Sequence, residues 1–106
     1  MVCADSDEEA DRLAKTVDLN TVRRAKGEYL PLASPEDAAA YNYAPVDQAR
    51  IVQNRTRMSV GKPETIRAKL APLIEATQAN ELMVTTMIYD HQARRRSYEL
   101  LAKAFA

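Results

Sequence analysis

The chain has 106 residues, and its 15 basic and 15 acidic side chains cancel, which bounds it to one domain with a modest core, or to a piece of a larger one. That balance leaves no electrostatic footprint for nucleic acid or an anionic membrane, and no apolar run approaches the ~20 residues a membrane span needs. The single cysteine, Cys3, has no disulfide partner and no companions at zinc-ligand spacing, so no metal is expected and a reducing cytoplasm is the expected compartment.

Three stretches, 1–27, 28–57 and 58–106, make up one expected domain. Met1 to Ala4 is an apolar stub with the character of the last turn of a strand, and it runs into acids rather than a leader sequence. Ser6 with Glu9 three residues later marks a helix start, and Ala10, Leu13, Ala14 and Val17 recur at helical spacing. Gly27 is placed to end that helix in the left-handed conformation.

Between residues 28 and 57 prolines and tyrosines interrupt the pattern, giving an irregular insertion with short helices. Ser34-Pro35 and Pro45 are the expected helix starts, because proline at the first helical position loses no hydrogen bond. The second of these helices is expected to turn Ala49, Ile51 and Val52 inward.

The pattern of strand and helix returns after residue 57. Met58 to Val60 reads as a short strand ended by Gly61, and Pro63 opens a helix with Ile66, Leu70, Leu73 and Ile74 on one face. Pro72 inside that helix removes a backbone hydrogen bond at a cost of about 3 kcal/mol, which predicts a kink or a restart. Ala79-Asn80 then turns the chain into a nearly unbroken apolar run from Leu82 to Ile88, expected to be a strand covered on both faces, with Met83 and Met87 buried. Asp90 caps the last helix, whose inward stripe is expected at Tyr98, Leu101, Ala102 and Phe105. Residues 58–88 would then form a parallel βαβ unit, and the whole reads as a helix-rich α/β layer.

The succession Val60, Gly61, Pro63, Glu64, Thr65, then Glu81 to Val84, then Ile88, Tyr89, Asp90 and finally Ser97 to Ala102 resembles the C-terminal end of the bacterial luciferase-like flavin-dependent monooxygenases. The opening Val2 to Ala14 is similar to that family's sixth strand and following helix. The resemblance implies the C-terminal portion of a (β/α)8 TIM barrel. Complete members bind flavin mononucleotide (FMN), form a flavin peroxide with oxygen and oxidise a small organic substrate. Lys62, Met87 and His91 depart from residues common in the family, and strands one to five have no counterpart here.

On this footing Gly61 and Lys62 are the candidate cofactor contact. The helix opening at Pro63 would present free N–H groups to the flavin phosphate, as barrels do after strands seven and eight; the competing reading is a strand-to-helix turn that needs a small residue. No catalytic residue is assigned. His91 reads as a surface side chain and Cys3 as a buried strand cysteine. Tyr29, Tyr41 and Tyr43 read as packing rings, and Arg94 to Arg96 as a solvated face. The expectation is a fragment of a luciferase-like oxidoreductase, inactive alone and without tightly bound FMN. The alternative is a catalytically silent oligomer or interaction module derived from that barrel, and a third class is a small helical binding module unrelated to barrels. A homo-oligomer joined through the 82–88 strand is the expected partner arrangement, because that stretch has no lysine, proline or inward charge to protect an open edge.

Overall fold

The computed structural model describes residues 1–78, 80–81 and 83–105. The turn at Ala79 and the start of the apolar run at Leu82 lie outside the described residues. Two short parallel strands, β1 (Val2–Cys3) and β2 (Val60–Gly61), pair with Val2 opposite Val60 and Cys3 opposite Gly61. Five helices surround them: α1 (Asp7–Ala25), α2 (Pro35–Ala40), α3 (Pro45–Arg55), α4 (Pro63–Thr77) and α5 (His91–Ala104).

Each helix begins where its sequence supplies a start. Ser6 Oγ accepts from the Glu9 amide at 3.2 Å, Ser34 Oγ from Asp37 at 3.1 Å, and an Asp90 carboxylate oxygen from Ala93 at 3.1 Å. Each contact satisfies an amide that the first turn leaves without a partner. Pro35, Pro45 and Pro63 take the first helical positions of α2, α3 and α4. Gly27, at φ 80°, follows the end of α1. Helix α4 runs through Pro72 without a restart.

The sheet's arrangement differs from the expected βαβ unit. The neighbour of β2 is β1, not the 83–88 stretch. That stretch lies along the other side of β1, where the Met1 amino group donates to the Thr85 carbonyl at 3.1 Å. β1 is therefore the middle of the layer, and it is buried on both faces. Val2 packs with Ala10, Leu13 and Ala14 of α1, together with Ile88. The adjacent Cys3 points the other way, into Ile66 and Leu70 of α4 and Leu100 and Leu101 of α5.

The apolar run was expected to be a strand covered on both faces, but its described residues, 83–88, form no strand and pair in no sheet, because a single backbone hydrogen bond joins them to the layer, and they are covered on one side only. Thr86 and Ile88 are buried and Val84 is half-buried, whereas Met83 is 97% exposed and Met87 39%. Its side chains alternate because only one side meets the helices. The inward faces of α5 and α3 also differ from expectation. In α5 the buried residues are Ser97, Leu100 and Leu101, while Tyr98, Ala102 and Phe105 are exposed; the Ser97 hydroxyl turns inward to accept the Cys3 amide at 3.0 Å. In α3 the sole buried residue is Asp47, and Ala49 and Val52 face solvent. Arg55 instead ties α3 to α1, donating to both carboxylate oxygens of Asp18 at 2.8 and 2.9 Å and to Asp11 at 3.0 Å. A bidentate pair of this kind fixes direction as well as distance. Leu73 of α4 is likewise exposed, although Ile66 and Leu70 are buried as expected.

Candidate functional site

In open α/β layers the crevice beyond the carboxyl ends of the strands is where ligands bind, and here that edge carries Asp5 and Asp7 after β1 and Lys62 after β2. The candidate pair Gly61 and Lys62 sits at this edge, with Lys62 as the residue preceding α4 and no side-chain cap of its own. The cap comes from far away in sequence. One Asp7 carboxylate oxygen, Oδ1, accepts from the Lys62 amide at 2.9 Å and from the Thr65 hydroxyl at 2.9 Å. A carboxylate near a helix N-terminus is favoured by the partial positive charge there, and these two donors hold the Asp7 carboxyl below the usual carboxylate range.

Gly61 is required by this contact. Its φ of 155° is one that side chains rarely adopt, and an added Cβ would stand 2.7 Å from Asp7 Oδ1 and 2.8 Å from the Thr65 methyl. The turn therefore needs glycine in order to admit an internal carboxylate. As a cradle for a flavin phosphate the α4 amides do not fit: the Lys62 amide is already committed, and an incoming phosphate would meet a like charge. The Lys62 side chain itself is exposed.

The remaining groups at this edge are also paired internally. Arg96 donates to Asp5 at 2.8 Å and lies 3.5 Å from Glu99, an exposed pairing on the solvated face expected for this helix. Arg12 bridges Glu9 at 2.8 Å and Glu36 at 3.1 Å. A cavity of about 310 Å³ between α1 and α5 is lined by Cys3, Asp5, Glu9, Leu13, Gln92 and Arg96. Cys3 is fully buried, and burial first, then the nearby Asp5 and Glu64 charges, pushes its thiol up to about 11. It is a packed strand residue, not a nucleophile. His91 is exposed, with Nδ1 2.7 Å from Arg94. No cluster of metal-ligating side chains occurs among the described residues.

Of the insertion's tyrosines, Tyr41 and Tyr43 serve packing and hydrogen bonding, whereas Tyr29, also expected to pack, is 76% exposed with Arg24 over its ring at 5.7 Å. The rings of Tyr41 and Tyr43 lie 4.9 Å apart, the Tyr43 hydroxyl donates to the Ala38 carbonyl at 2.7 Å, and Tyr41 accepts from Lys26 at 3.1 Å. At the opposite, amino end of the strands, Ile74, Asn80, Val84, Tyr98, Leu101 and Phe105 line an apolar hollow of about 460 Å³.

The residue that sequence reasoning missed is Asp7. Its one signal was redundancy: Ser6 already caps α1, which leaves Asp7 free to serve another helix, but nothing in the sequence says which.

The chain is similar to known proteins over nearly its whole length. It is 39% identical over 105 residues to the uncharacterized protein YceB of Bacillus subtilis (strain 168), a match covering 99% of this chain and 32% of YceB. Identity to the luciferase-like monooxygenase of Escherichia coli (strain K12) is 31% over 100 residues, 94% of this chain and 30% of that protein. The crystal structure of apo-MsnO8 superposes with a TM-score of 0.80 at 34% identity, covering 97% of this chain and 32% of that one. No family model matches the chain. The chain spans about a third of the length of the curated relatives it matches. No helix among the described residues is long and apolar enough to cross a membrane.

Proposed function

We propose that this chain is the C-terminal part of a luciferase-like flavin-dependent oxidoreductase and corresponds to the last strands and helices of a (β/α)8 barrel. The observation that carries this reading is the whole-chain match to the E. coli luciferase-like monooxygenase, at about a third of that protein's length. Catalytic groups in barrels come from the ends of several strands, so the chain alone is an incomplete site and does not hold FMN tightly. Within the complete barrel, the Lys62 ammonium is the group of the Gly61–Lys62 turn free to reach a phosphate, because the amide is held by Asp7.

A chimera tests this. Replacing the matching third of the E. coli luciferase-like monooxygenase with residues 1–106 should give a folded protein that binds FMN, and Lys62→Ala in that chimera should weaken binding. A chimera that folds but does not bind flavin would overturn the proposal.

A second reading, a catalytically silent homo-oligomer, is favoured by the exposed Met83 and Met87 beside a backbone edge. Two copies related by a two-fold axis would pair their 83–88 stretches antiparallel and cover those methionines. Light scattering of the isolated chain distinguishes this reading: a well-folded monomer at micromolar concentration removes it.

A further inference from the structure

We infer that Asp7 is the resident anion of the α4 N-terminus, a built-in plug that closes the backbone amides of the Gly61–Lys62 turn, though not the Lys62 ammonium, to phosphate. Three features converge on it. The same oxygen of Asp7 takes the Lys62 amide and the Thr65 hydroxyl, both at 2.9 Å. These are the groups a phosphate oxygen would use at a helix start. Gly61 leaves a space that a Cβ would fill, and Asp7 Oδ1 at 2.7 Å and the Thr65 methyl at 2.8 Å both stand against it. Finally, α1 does not depend on Asp7 for its own start, because Ser6 caps the Glu9 amide.

The carboxylate is thus spare on its own helix and committed on another, 55 residues further along the chain. It supplies the negative charge the α4 terminus attracts, tethered at a high effective concentration that free phosphate has to outcompete. The turn is self-satisfied, and its anion affinity is spent holding α1 against α4 at the carboxyl edge of the sheet.

The test compares the ¹⁵N-labelled parent chain with Asp7→Ala during titration with inorganic phosphate, following the Lys62, Glu64 and Thr65 amides. Ser6 remains to start α1 in the variant. Saturable shifts at these amides are expected in Asp7→Ala, with an apparent affinity at least about tenfold tighter than in the parent. Equal affinity in parent and variant would overturn the inference, and so would a folded variant with no response. Should the variant not fold, the parent alone decides: the Lys62 amide proton is expected to move with the titration of the Asp7 carboxyl, and a Lys62 resonance indifferent to that titration would overturn the inference.

Discussion

β1 and the 83–88 stretch are both short and largely apolar, yet they end in opposite environments. Val2 and Cys3 are fully buried, whereas Met83 is 97% exposed. The backbone differs in the same direction. Amides of Val2 and Ala4 donate to the Ser59 and Gly61 carbonyls, and that of Cys3 donates to Ser97 Oγ. Along 83–88 the sole such bond among the described residues is the one Thr85 accepts from Met1. Apolar composition therefore sets how much surface asks to be buried, and position in the layer decides whether it is. A segment in the middle has helices on both faces and neighbours on both edges; one at the side has half of each.

Substitutions on either side of this contrast should separate by size. The largest effect is expected at Ile88, an inward residue of the side stretch that packs with Val2 and Leu13. Ile88→Ala should cost about 2–5 kcal/mol in denaturant unfolding. Ser97→Ala should cost about 1–3 kcal/mol, because it leaves the buried Cys3 amide without an acceptor. The same burial can be read chemically. With its thiol raised from 9.0 to about 11, Cys3 should resist a thiol reagent at pH 8 until the chain is unfolded. Its folded pKa lies above the unfolded one, so its contribution to stability should be complete below pH 9.0 and decline as pH rises through about 11. The smallest effect belongs to Met83→Ser, expected within ~0.5 kcal/mol of the parent in the monomer. A large loss at Met83 in the monomer would mean that the outward side is covered.

Much of the fold was legible because it is local. Ser6, Ser34, Asp90 and the prolines at 35, 45 and 63 mark helix starts through contacts within a few residues. What was not legible depends on distant partners. The inward face of α5 falls on Ser97 and Leu100 rather than on Tyr98 and Phe105, because the Cys3 amide needs an acceptor 94 residues away. The burial of Asp47 within α3 is a result of capping, since it accepts the Ala44 amide at 3.0 Å and meets Lys26; hydrophobic spacing pointed to Ile51 and Val52 instead. At the candidate site the competing reading of Gly61, a strand-to-helix turn that needs a small residue, is the one its surroundings match. The group that fills the space, Asp7, lies across the layer and left no mark in the local pattern.

Residue-resolved amide hydrogen exchange on the monomeric chain tests the central contrast most directly. Among the described residues the amides of Val84, Thr86 and Ile88 have no hydrogen-bond acceptor, although Thr86 and Ile88 are buried. Val2, Cys3 and Ala4 are predicted to exchange only through global unfolding, while Val84, Thr86 and Ile88 exchange orders of magnitude faster, through local opening. Equal protection of the two sets in the monomer would contradict the contrast.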